Sequence, residues 1–153
     1  MTSKKVLILY YSGSGNTKKM AKAIAEAIKS SAINVTVEDV GKFDISLFPN
    51  YDSIVLGSPT YFSNVAWQVK KVIDESIVHY RGGKLKGKVA CIFASAGTSR
   101  DGKDCLKMLE VALGIHHGMR VVEGILRVDG ESDKEVEKRC QEYGKKVVKE
   151  IEK

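Results

Sequence analysis

The sequence predicts a doubly wound α/β domain, a five-stranded parallel sheet with helices on both faces. Three observations carry that prediction: five short apolar runs, helical stripes between and after them, and a glycine- and hydroxyl-rich turn behind the first run. With the first strand central, right-handed crossovers give the strand order 2-1-3-4-5, and a ligand belongs at the carboxyl ends of strands one and three. At 153 residues the chain reads as a single domain, residues 1–153, large enough to bury a core.

The first run, Val6-Leu7-Ile8-Leu9-Tyr10-Tyr11, has the continuous apolar character of a buried parallel strand. Ser12-Gly13-Ser14-Gly15-Asn16-Thr17 follows, and then Met20, Ala23, Ile24, Ala27 and Ile28 recur at helical spacing over residues 17–30. Residues 33–37 form the second strand. The crossover at 41–50 carries one weak helical turn that Pro49 ends. The third strand, 53–57, runs into Gly57-Ser58-Pro59-Thr60-Tyr61-Phe62-Ser63-Asn64 and a helix over 64–77. The stripe of that helix, Val65, Val69, Val72, Ile73 and Ser76, leaves Trp67 opposite, either tucked under a loop or free for a partner. The fourth strand, 89–95, leads through Ser95-Ala96-Gly97-Thr98-Ser99-Arg100 to a helix over 102–116. The fifth, 119–127, precedes a helix at 133–150 with the stripe Val136, Cys140, Tyr143, Val147 and Ile151. Ser132 and Glu135 open that helix as a capping box.

Composition removes several classes of function. The first strand starts too early for a signal peptide, and no apolar run approaches a membrane span. Cys91, Cys105 and Cys140 are far apart with no C-x-x-C, so neither a disulfide framework nor a zinc site is expected, and a reducing cytoplasm is. The net charge of +6 attracts anions, but most lysines are interleaved with acids on helix faces. Only Lys84-Leu85-Lys86-Gly87-Lys88 is dense, and no nucleic-acid motif accompanies it. Asp52, Asp101 and Asp104 lack paired-carboxylate spacing, and no side chain is placed as nucleophile or metal ligand.

The turn at 12–17 points backbone amides and hydroxyls at one spot in front of a helix dipole, which makes an anion site from neutral donors, with Lys18 and Lys19 just outside. An ordinary strand-to-helix turn would use the same residue types. The Walker loop, the dinucleotide fingerprint and the hydrolase elbow all fail on spacing. The loops after strands three and four are equally rich in small and hydroxyl residues, and Tyr61 and Phe62 add aromatic surface. Three such loops at one end of a sheet point to a nucleotide-like ligand.

In these stretches, and in Ile115-His116-His117-Gly118-Met119, the chain resembles the flavodoxin superfamily. Its nearest likeness is to flavodoxins and flavodoxin-like NAD(P)H:quinone oxidoreductases of the tryptophan-repressor-binding type. The resemblance implies a flavodoxin-like fold and FMN. It puts the phosphate on Ser12, Gly13, Ser14, Gly15, Asn16 and Thr17, the isoalloxazine edge against Thr60, Tyr61 and Phe62, and the ring's polar edge on Ser95, Ala96, Gly97, Thr98, Ser99 and Arg100. It further implies that His116 lies beside the flavin and that Tyr80 faces substrate; as a plain residue, His116 is also a cation suited to a helix C-terminus. The chain departs from that branch in running directly from Ile125-Leu126-Arg127-Val128-Asp129-Gly130 to the last helix, without the long insertion of the quinone reductases. Unlike acidic carrier flavodoxins it is basic, and its fourth-strand loop has no aromatic. Two functions follow from the resemblance: an electron carrier between redox partner proteins, slightly favoured, or an enzyme passing electrons from NAD(P)H to a quinone-like acceptor. Homo-oligomers are compatible with both, and neither involves nucleic acid or a membrane.

Overall fold

The computed structural model describes residues 3–153. β1 (Lys5–Tyr10) lies between β2 (Asn34–Asp39) and β3 (Ser53–Tyr61), paired parallel to both. Beyond β3 come β5 (Val89–Ala96) and β6 (Arg120–Val128), also parallel. The sequence reading of five strands in the order 2-1-3-4-5 needs one correction. A sixth strand, β4 (Asn64–Val65), pairs antiparallel with the end of β3, so the parallel path reads β2-β1-β3-β5-β6. Two residues are too short for an apolar period to register.

α1 (Asn16–Lys29) and α5 (Asp133–Glu152) cover one face; α2 (Trp67–Glu75), α3 (Ile77–Tyr80) and α4 (Ser99–Glu110) cover the other. The apolar alternation of β1 serves both cores, with Val6 and Ile8 toward α1 and α5 and Leu7 and Leu9 toward the α2–α4 side. The expected helix at 64–77 is shorter, because the β3–β4 hairpin uses its first residues, and it breaks at Ser76. The helix at 102–116 begins earlier, at Ser99 under a Thr98 cap, and its last six residues, Val111–His116, are π-helical. The second crossover holds two short 3-10 turns, Val40–Lys42 and Ile45–Asn50, with Pro49 inside the second. Ser132 caps α5 through the Glu135 amide as expected. All three cysteines are buried and unpaired, and burial pushes the Cys91 thiol up to about 12. Among the described residues no helix is long and apolar enough to cross a membrane.

α1 and α5 approach closely at Gly144. A Cβ there would stand 2.6 Å from the Ala27 Cβ and 2.8 Å from the Ile24 carbonyl oxygen. Gly144→Ala should therefore cost about 1–3 kcal/mol, the range for overpacking a filled core. Urea denaturation checks this, with Gly83→Asn, on an open turn with φ 59°, expected near neutral. Unchanged stability in Gly144→Ala would contradict the packing.

Candidate functional site

Because β1, β3 and β5 run parallel, the loops that follow them emerge along one edge of the sheet. The first loop turns through Gly15 at φ 100°, a left-handed conformation that glycine adopts without steric cost. Gly15 is the N-cap of α1 and offers no side-chain cap, and the first turn holds no acid. Ser12 Oγ instead accepts from the Gly15 amide at 3.1 Å and the Lys18 amide at 3.2 Å, pulling the loop across the helix end. The amides of Asn16 and Thr17 have no acceptor within the helix. They are joined by the positive end of a 14-residue dipole, with Lys18 and Lys19 exposed alongside. This donor set suits an anion.

Thr17 does not stand in solvent. It is buried, and its Oγ1 lies 2.9 Å from Ser95 Oγ, also buried, so the first helical turn is tied to the end of β5. A pair of hydroxyls holds two protons and consumes one between them, which leaves one O–H free to donate. Behind this pair, Arg127, in register with Ser95, pairs with Asp133 at 2.7 Å, and Lys19 reaches the same carboxylate at 3.1 Å. Both cations hold the Asp133 carboxyl below its ordinary range, through hydrogen bonds first and charge second.

The second loop is the β3–β4 hairpin. The Tyr61 hydroxyl lies over Gly13, where any Cβ would collide with it, so the hairpin meets the first loop at a residue without a side chain. Phe62 is fully exposed and Tyr61 nearly half exposed. Thr60 Oγ1 is buried with no hydrogen-bond partner among the described residues. The third loop carries Gly97, Thr98, Ser99 and Arg100, all exposed, with Thr98 Oγ1 accepting the Asp101 amide at 3.2 Å. Residues 12–17, 60–62 and 95–100, expected together, do come to one edge.

Tyr80 and His116 do not join them. α4 starts beside the third loop and, with its π-helical extension, carries the chain roughly 25 Å away at about 1.5 Å per residue. α2 and α3 carry Tyr80 the same way. Both side chains line a cavity of about 540 Å³ with Ile73, Ile77, Met108 and His117, at the edge where β6 begins. Sequence reasoning missed His117. Ser76 Oγ donates to the Ile73 carbonyl, so the 2.8 Å contact between Ser76 Oγ and His117 Nε2 has the imidazole N–H as donor. Burial, then the neighbouring His79 and His116, push the His117 pKa down. Ile77, which lines the cavity, is exposed, as are Val78 and Ile115 next to lining residues in the chain. Trp67, at the first position of α2, is 70% exposed, so any burial under a loop is partial and most of its surface is free.

A family model described as a flavodoxin domain matches residues 7–120, and the chain belongs to that family. A protein of Rhizobium rhizogenes named NAD(P)H dehydrogenase (quinone) is 33% identical over 164 aligned residues, covering 94% of this chain and 82% of the relative. Two solved structures superimpose over nearly their whole length. A flavodoxin from the domain Archaea does so with a TM-score of 0.84 at 25% identity, covering 97% of this chain and 99% of the other. The flavodoxin, WrbA-like protein from Agrobacterium tumefaciens does so with 0.85 at 25% identity, covering 98% of each.

His117 makes the far cavity a source of pH dependence. Its folded pKa lies below the ordinary imidazole value, so between the two the unfolded chain binds the extra proton. Stability contributed by neutral His117 is complete above about pH 6.5 and is lost as pH falls below it. Urea midpoints measured from pH 7.5 down to 5 should fall more steeply in the native chain than in His117→Gln, with His79 and His116 kept in both. Parallel profiles would show that His117 is not held neutral.

Proposed function

We propose that this flavodoxin-family chain is a single-domain FMN-binding redox protein that carries electrons between redox partners. The observation that carries the reading is the meeting of three loops at one sheet edge, one of them a helix N-terminus with unclaimed amides and no acid in its first turn. A phosphate suits that donor set. The residues that would hold FMN are Ser12, Gly13, Ser14, Gly15, Asn16 and Thr17 around the phosphate, Thr60, Tyr61 and Phe62 against the ring, and residues 95–100 along its polar edge. Once bound, FMN supplies the electron and hydride chemistry; the protein holds it, tunes it and controls access.

Each loop then has a separate task. The Asn16 and Thr17 amides and the spare proton of the Thr17–Ser95 pair donate to phosphate. The amides around Gly97, with the Arg100 cation nearby, favour negative charge at the ring's polar edge. Phe62 offers an apolar face with no other use in the chain. Nothing aromatic stands in the third loop, so one ring face is open to a partner or a flat substrate. Tyr80 and His116 lie outside the FMN site of their own chain in this proposal. Three buried free thiols fit a reducing, cytoplasmic setting.

A second reading is favoured by a specific observation, the name of the Rhizobium rhizogenes relative: direct hydride transfer from NAD(P)H followed by reduction of a quinone. Against it, β6 runs directly to α5, where the quinone reductases that the chain resembles carry an insertion.

Two measurements test these readings. FMN titration should show saturable binding. Thr17→Ala and Ser12→Ala should each weaken it about ten- to a hundredfold, since a hydrogen bond to a charged group is worth about 1.5–3 kcal/mol. Ser30→Ala, at the far end of α1, should leave affinity unchanged. Tight FAD or NAD binding with none for FMN would overturn the assignment. Stopped-flow mixing of NADH or NADPH with the FMN-loaded protein then separates carrier from enzyme. Slow reduction, accelerated by an added flavoprotein reductase and sensitive to ionic strength, is the carrier's signature. Fast, saturable reduction with repeated turnover on quinone would establish the reductase.

A further inference from the structure

Phe62 and Ser63 form the whole loop between Tyr61 and Asn64, which pair across β3 and β4. Both have positive φ, 53° and 63°, so the hairpin closes on a type I′ turn. Such turns are ordinarily made from Asn-Gly, because a Cβ in the left-handed region crowds the backbone. This chain places a Phe and a Ser there. Phe62 is fully exposed, so no packing among the described residues compensates it.

Ser63 does have a partner. Its Oγ donates to Asp101 Oδ1 at 2.8 Å, across 38 residues of sequence. Asp101 lies in the first turn of α4, where the dipole favours a carboxylate, and its own amide is held by Thr98 Oγ1. A carboxylate can only accept, and a hydrogen bond to it is stronger than one between neutral groups. One bond thus joins the loop after β3 to the loop after β5, while Tyr61 reaches Gly13 of the first loop. The hairpin, itself the second loop of the site, thus touches both of the others.

We propose that the Ser63–Asp101 hydrogen bond is a latch that does the work of the missing glycine, holding the turn in its left-handed conformation and so positioning Phe62 toward a planar ligand. Ser63 and Asp101 are positioning residues, acting through Phe62 and Tyr61. The inference rests on the FMN reading for its ligand, but not for the latch. It has a consequence that general destabilisation would not share. Glycine at 63 tolerates positive φ without help, so it makes Asp101 dispensable; alanine keeps the Cβ, loses the hydroxyl and is the worst choice.

The test compares Ser63→Ala, Asp101→Ala, their double mutant, Ser63→Gly, Ser63→Gly with Asp101→Ala, and Asp101→Asn, all in the full chain. FMN affinity is one readout. Hydrogen exchange at the Tyr61 and Asn64 amides in the FMN-free protein is the other. Ser63→Ala and Asp101→Ala should each weaken FMN binding about tenfold, the low end for a hydrogen bond to a charged group because the bond acts on the ligand only through Phe62 and Tyr61, and each should speed exchange in the hairpin. The double mutant should be no worse than either, because one bond is lost in all three. Ser63→Gly should stay near the native chain, and adding Asp101→Ala to it should change nothing further. Asp101→Asn keeps an acceptor oxygen and should rescue both readouts. Additive losses, or an Asp101→Ala effect undiminished in the Ser63→Gly background, would overturn the latch. If the native chain shows no affinity for FMN, the ligand reading falls alone, and the exchange pattern still decides whether the latch exists.

Discussion

The parallel pairing of β1 with β3, and of β3 with β5, is the constraint on which the rest of the site depends. Parallel strands need long crossovers that return the chain to its starting edge, so the carboxyl end of every strand lies at the same edge. Three loops far apart in sequence then share one neighbourhood. The buried Thr17–Ser95 hydroxyl pair converts that neighbourhood into a fixed distance, since it ties the start of α1 to the end of β5. Arg127, Asp133 and Lys19 extend the tie to β6 and α5. The polar network at this edge lies directly behind the loop that would receive an anion.

The same geometry separates the two ends of the molecule. Each helix that begins beside the loops ends at the opposite edge, and there the character changes from small hydroxyl residues to Ile77, Val78, Tyr80, Ile115 and the histidines. The loop edge is suited to a charged, planar ligand and the far edge to apolar contact. His117 illustrates the cost of mixing the two. It is a titratable group in a cavity lined by both apolar and polar side chains, donating its Nε2 N–H to Ser76, and burial, then His79 and His116, push its pKa down.

The main elements were legible because their periods are long. β1, β3 and β5 read as continuous apolar runs and are almost entirely buried, and every residue in the predicted stripe of α5 is buried, though Gly144 and Val148, buried beside it, were not named. What escaped was short or non-local. β4 has two residues. A π-helical turn of six residues at 111–116 cannot be told from an α-helix by apolar spacing. The type I′ turn gave no signal because Phe62-Ser63 contains no glycine, and its compensating bond to Asp101 is invisible without coordinates in space. His116 and Tyr80 were associated with the site by resemblance alone. Helix length, which is countable from the sequence, already carries them to the other edge.

In the proposed site one ligand touches all three loops at the carboxyl edge of a single chain. Backbone amide chemical shifts followed by NMR during FMN titration test it most directly. Residues 12–17, 60–64 and 95–100 should move together with one dissociation constant, while the amides around Tyr80, His116 and His117 stay in place. Shifts confined to the far cavity, or loops that respond with different constants, would contradict it.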